Sequence, residues 1–176
     1  IFIDPGDELD KLIQVQMELK LIPEYIFITH GHIDHAGAAK ELANKLNLNI
    51  IGPHIDDSFL LESLEIQGQM YGMSAQNFTP DKWLKHEDSI SFGNQTLEIK
   101  HCPGHAPGHV IGINHNAKKI IAGDVLFNGS IGRTDLPKGN YQDLIDSINH
   151  HLLTLDDSYV VHCGHGPDTT IGHERK

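Results

Sequence analysis

Residues 28 to 37 read ITHGHIDHAG and put three imidazoles and one carboxylate within six positions: His30, His32, Asp34 and His35. Imidazole nitrogen and carboxylate oxygen suit Zn²⁺, Mn²⁺ or Fe²⁺ and suit Ca²⁺ poorly. In an extended turn, side chains two residues apart point the same way, so His30 and His32 can chelate one ion. Asp34 and His35 are adjacent at what reads as the start of a helix, where neighbouring side chains diverge by about 100°. They cannot easily complete the tetrahedron begun by His30 and His32. The motif therefore offers two pairs of ligands and points to two ions.

Three more loops carry donors of the same kind. The apolar run YIFIT delivers the opening motif, TLEIKHC is followed by Pro103, Gly104 and His105, KIIAG by Asp124, and YVVHC by Gly164 and His165. Loops at strand ends, held by a rigid scaffold, are where functional groups gather. The full set is five imidazoles and two carboxylates. Seven donors exceed the three protein ligands of a single zinc with an open position. They suffice for two ions if one carboxylate bridges, and paired metals about 3.5–4 Å apart form a hydrolytic arrangement.

The elements that must position these loops alternate in type. IFID reads as a strand closed by the Pro5-Gly6 turn. A helix over 7–20 follows, with Leu9, Leu12, Ile13 and Met17 near helical spacing, ended by Pro23. YIFIT and NIIGP are strands, and Ala39, Leu42, Ala43 and Leu46 give one face of a helix between them. Residues 54–70 read as helical, with Phe59, Leu60, Ser63 and Leu64 toward the core, and 71–88 as irregular. SISF and TLEIKHC flank a Gly93-Asn94 turn, and HVIGIN and KIIAGD form a second hairpin. Tyr141, Leu144, Ile145, Ile148 and Leu152 mark an amphipathic helix, YVVHC is the last strand, and TTIGHERK has no clear period. Interleaved helices and strands with hairpins in the middle fit an α/β fold with a two-sheet core and outer helices, not a simple doubly wound sheet.

The bulk numbers bound the partners. The 176 residues fit one domain, with 39% apolar and 21% charged side chains. A formal charge of −11 repels phosphate backbones, so no nucleic acid partner is expected. No apolar run approaches the roughly 20 residues that span a bilayer, and no secretory leader is visible. The chain starts at Ile1, inside a strand, so a trimmed fragment is an open reading. Cys102 and Cys163 are too few for a disulfide scaffold and fit reduced thiols in a cytoplasmic protein. Of the 14 histidines, His54, His86, His115, His150 and His151 read as surface residues.

The stretches THGHIDH, CPGHAPGH, AGDVLF and CGHGP resemble the metal motifs of the metallo-β-lactamase fold hydrolases. The likeness is greatest to the glyoxalase-II-like branch, and within it to small single-domain bacterial hydrolases of the YcbL type. DPGDE, GSIGRTDLPKG and TTIGHER add to it, in order along essentially the whole chain. The resemblance implies one domain over 1–176, a four-layer αββα sandwich with the site at one edge between the sheets. It implies a first ion on His30, His32 and His105, a second on Asp34, His35 and His165, and Asp124 bridging. It picks His105 among the histidines of HCPGHAPGH, leaving His109 as a packing or supporting residue. Relatives carry strands before IFIDPGDE and a little after HERK. An incomplete domain, with an exposed sheet edge and reduced stability, is therefore expected.

The same resemblance implies the chemistry. Two divalent ions, zinc foremost with iron or manganese as alternatives, would activate a water oriented by Asp34 and Asp124. A small-molecule thioester such as S-lactoylglutathione suits the site, because a thiolate leaves without strong acid help. Arg133 lies where the family places a basic residue, and reads either as a holder of a substrate carboxylate or as a structural partner of Asp135. Lys138 and Tyr141 read as surface and core, Phe127 and Trp83 as core. GRTD also resembles the persulfide dioxygenases of this fold, whose single iron would here sit on His30, His105 and Asp124. The carboxylate pattern and the absence of a leader argue against a β-lactamase. The acyl group, the native metal and the oligomeric state are left open.

Overall fold

The computed structural model describes residues 1–176. Residues 1–83 form one compact unit and 84–176 another, each around its own buried apolar cluster.

The first unit holds a three-stranded parallel sheet in the order β1 (Phe2–Ile3), β2 (Tyr25–Phe27), β3 (Asn49–Ile51). Parallel neighbours end at the same sheet edge, so the segments after all three strands gather there. Helix α1 (Leu9–Glu18) joins β1 to β2, and α2 (Ile33–Ala36) and α3 (Ala39–Leu46) join β2 to β3. Ile26, Ile28, Ile33, Leu42, Leu61 and Leu64 are buried at the centre of the unit's core. On α1, Leu9, Leu12 and Ile13 pack on that core, but Met17 is 67% exposed. The half-buried face of the helix continues at Gln16, one position nearer its axis at 100° per residue.

The 54–70 stretch is helical but broken. A 3₁₀ turn (Ile55–Asp57) leads into α4 (Ser58–Leu61), and α5 (Leu64–Tyr71) follows. The Leu60 carbonyl, which would carry a continuous helix onward, accepts instead from the Ser63 N–H, the Ser63 hydroxyl and Gln67 Nε2. The buried face is Leu60, Leu61 and Leu64, while Phe59 and Ser63 are half-buried.

The second unit holds a six-stranded sheet. Hairpin β4 (Ser89–Phe92) and β5 (Gln95–His101) runs on antiparallel through β6 (Val110–Asn114) and β7 (Lys119–Gly123). Strand β10 (Val160–Cys163) then lies parallel to β7, with β11 (Thr169–Thr170) at the edge. The loops after β5, β7 and β10 therefore emerge at one end of the sheet. A small hairpin, β8 (Leu126–Phe127) and β9 (Ser130–Ile131), follows β7. Helix α6 (Tyr141–His151) is capped by Asn140, whose Oδ1 accepts from the N–H groups of Gln142 and Asp143. It buries Leu144 and Ile148, while Tyr141 is 61% exposed rather than core. A first-turn side chain tilts toward the helix N-terminus and past the packed surface. The aperiodic tail forms β11 and a short helix, α7 (Ile171–Glu174). Glu174 accepts from the Thr169 hydroxyl and the Gly129 N–H, tying the tail to the turn of the β8–β9 hairpin. No helix is long and apolar enough to cross a membrane.

Candidate metal centre

In the first unit, Asp4 follows β1 and Thr29 follows β2, side by side on parallel strands. Asp4 Oδ1 accepts from the Thr29 N–H at 2.7 Å, and Oδ2 accepts from the Thr29 hydroxyl at 2.7 Å and from His35 Nδ1 at 3.0 Å. The hydroxyl has one proton, and it goes to Asp4. Thr29 Oγ1 therefore accepts from His30 Nδ1, 3.1 Å away. Both imidazoles donate from Nδ1 and turn Nε2 the other way, the arrangement that metal-binding histidines have. His30 and His35 are buried, with ring centroids 4.2 Å apart. His32 stands edge-on to His30 at 4.9 Å and occupies the N-cap position of α2. Asp34, in the first turn of α2, is half exposed, its Oδ2 3.8 Å from His35 Nε2.

The second unit repeats this logic. His105 Nδ1 lies 2.7 Å from the Arg133 carbonyl, which can only accept, so Nδ1 donates here too. Asp124 Oδ2 is 3.5 Å from both His105 Nε2 and His165 Nε2. Two imidazole nitrogens and a carboxylate oxygen at that spacing are donors that a cation can draw together. His109, fully buried, accepts the Asp124 N–H on Nε2 at 3.0 Å and so fixes the backbone that carries the carboxylate. Gly164 has no alternative here: a Cβ on it would sit 2.2 Å from Asp124 Oδ1. The Gly164 N–H bonds the Gly123 carbonyl at 2.8 Å, holding the β10 end against the β7 end.

These donors fit divalent transition-metal ions. They are nitrogen and oxygen ligands, and each buried ring is held by a hydrogen bond from its far nitrogen, the support that metal-binding histidines have.

A sequence model of the metallo-β-lactamase superfamily matches residues 2–165. The chain belongs to the metallo-β-lactamase superfamily. Hydroxyacylglutathione hydrolase GloC of Haemophilus influenzae is 46% identical over 176 residues, 99% of this chain and 83% of the relative. The crystal structure of TTHA1623 in a di-iron-bound form superposes with a TM-score of 0.90 at 37% identity, covering 99% of this chain and 85% of that one. The B3 metallo-β-lactamase BLEG-1 superposes with a TM-score of 0.88 at 35% identity, covering 97% and 83%. The fold is thus the metallo-β-lactamase fold that the motifs imply.

Among superfamily motifs, DPGDE gains a structural role that its sequence did not disclose, because Asp4 fixes the rings of two candidate ligands at once. Asp57 and Gln67 also reach the His-rich loop. They lie 26 and 34 residues from the groups they bond, in a stretch without motif character. Arg133 places its guanidinium on Asp135, in bonds of 2.7 and 2.8 Å, and gives the centre its carbonyl. That pairing holds the Asp135 carboxyl at about 2, well below its ordinary range. Phe127 and Trp83 are half-buried, the Phe127 ring 6.2 Å from that of His165.

Proposed function

We propose that this protein is a binuclear metal-dependent hydrolase of thioesters, with S-acyl-glutathione esters such as S-lactoylglutathione as its substrate class. The observation that carries the reading is that His30, His35 and His105 are each held by the protein through Nδ1, at Thr29 Oγ1, Asp4 Oδ2 and the Arg133 carbonyl, as metal-binding histidines are. We assign His30, His32 and His105 to one ion and Asp34, His35 and His165 to the other. Asp124, with Oδ2 equidistant from His105 and His165, would bridge the ions. Two bound ions, zinc foremost with iron or manganese as alternatives, would supply a lowered water pKa and a polarised substrate carbonyl.

The remaining work belongs to the chain. Asp124 and the half-exposed Asp34 orient the attacking water. The departing thiolate is a good leaving group, its thiol ionising at about 8.5, so no general acid is required. Arg133 is the cation we assign to a substrate carboxylate, which would have to displace Asp135 from the guanidinium. The likeness to GloC supports the substrate class, and the di-iron relative supports the paired ions. Free Cys102 and Cys163 fit a reducing, cytoplasmic setting where glutathione is the common thiol.

The test is hydrolysis of S-lactoylglutathione by metal-loaded and chelator-stripped protein, followed by loss of thioester absorbance. Turnover that needs metal and fails in His30→Ala supports the proposal. Oxygen uptake on glutathione persulfide, with no thioester turnover, overturns it. The likeness to BLEG-1 makes β-lactam hydrolysis a second reading for the same assay series.

A further inference from the structure

His32 sits at the N-cap of α2, yet its side chain makes no cap hydrogen bond. Backbone N–H groups on both sides of the N-cap need acceptors, and here two residues from the 54–71 stretch supply them. Asp57 Oδ2 accepts from the Gly31 N–H at 2.8 Å, and Gln67 Oε1 accepts from the Ile33 N–H at 3.1 Å. These N–H groups lie immediately before and after His32. Asp57 is fully buried, and a buried carboxylate is tolerated only where strong donors meet it. Gln67 is itself braced, its Nε2 donating to the Leu60 carbonyl at 2.9 Å. The approach is close enough that a Cβ on Gly31 would meet Leu60 Cβ at 2.7 Å.

We infer that Asp57 and Gln67 are positioning residues for the His30–His32 chelate, holding the loop backbone so that the His32 ring serves a metal instead of capping its helix. The inference rests on the proposed metal centre. Without the two acceptors, the loop would turn to satisfy its N–H groups, and the ring spacing of the chelate would go with it. Outer groups that hold metal ligands typically govern about 10- to 100-fold in metal affinity.

The test is titration of the metal-free full chain with Co²⁺, following the visible absorption bands that report ligand geometry, with folding of each protein checked by circular dichroism. Wild-type protein should take up two ions, and His32→Ala identifies which step belongs to the chelate. Wild-type uptake of fewer than two ions would overturn the binuclear reading itself, before any positioning variant is compared. Given two ions, Asp57→Ala should weaken the His32-dependent step about 10- to 100-fold, alter its absorption band and leave the other step within about threefold. Asp57→Asn, which keeps an acceptor oxygen, should recover most of the affinity and the band. Equal weakening of both steps, or none, overturns the inference. If Asp57→Ala does not fold, Gln67→Leu decides, with selective weakening of the same step expected and an unchanged step refuting it.

Discussion

Replacing Asp4 by Asn tests the proton arrangement of the first unit with a change of one atom. The Asp4 backbone has φ 47°, which Asn tolerates as well as Asp, so the fold sees little strain. The amide oxygen can keep the Thr29 N–H, but the amide nitrogen must then take the place of Oδ2. That oxygen accepts two hydrogen bonds, from the Thr29 hydroxyl and from His35 Nδ1. A donor in its place forces His35 to accept on Nδ1 and to move its proton to Nε2, the atom assigned to the metal. The Thr29 hydroxyl, no longer needed by Asp4, becomes free to turn its own proton toward His30 Nδ1. Three charge-assisted bonds worth about 1.5–3 kcal/mol each become neutral ones worth about 1 kcal/mol, so the metal-free protein should lose about 1.5–6 kcal/mol. The affinity of the ion on His35 should fall about 10- to 100-fold. Urea unfolding of the stripped protein measures the first quantity, and competition with a metal-binding dye the second. An Asn variant that keeps both stability and affinity within twofold would refute the tautomer argument.

Other consequences are simpler to read. Gly164→Ala should cost at least about tenfold in metal affinity, measured by the same dye competition, because its Cβ would lie 2.2 Å from Asp124 Oδ1 and 2.9 Å from the Gly123 carbonyl. Burial first, and then the positive charge of His86, Lys100, His150 and His101, pushes the His151 pKa below its ordinary value. The folded chain then binds fewer protons than the unfolded one, so this contribution to stability is present above about pH 6.5 and is lost as pH falls. Unfolding curves at pH 7 and pH 5.5 should show a smaller acid loss in His151→Asn than in wild type, and an equal loss would contradict the reading. Burial pushes both thiols up, Cys102 from a fully buried position and Cys163 from a half-buried one beside Asp168. Thiol labelling at pH 8 should reach Cys163 first and Cys102 only on unfolding, with mass spectrometry of the labelled peptides as the check.

The strand-end loops are legible in the sequence because the first packs four donors into six positions and the others each place a His or Asp just after an apolar run. His-x-His-x-Asp-His after an apolar run has few structural explanations, and the hairpins announced themselves through alternation and a Gly-Asn turn. Asp4, Asp57 and Gln67 are not legible as supports, because a hydrogen bond spanning some 25 to 35 residues leaves no local trace. The break at Ser63 was equally invisible: helical periodicity runs across it, and only the competition for the Leu60 carbonyl interrupts the ladder. Met17 and Tyr141 were placed with apolar stripes by spacing alone. Spacing does not say where a stripe runs past the core it covers, and both side chains lie beyond that limit.

The central claim is that the histidines and aspartates hold two ions, and metal stoichiometry tests it most directly. Elemental analysis of the purified, metal-loaded chain should give two transition-metal ions per protein in wild type and one in His35→Ala, with thioester turnover lost in the variant. A single iron per wild-type chain, unchanged by His35→Ala, would contradict the account.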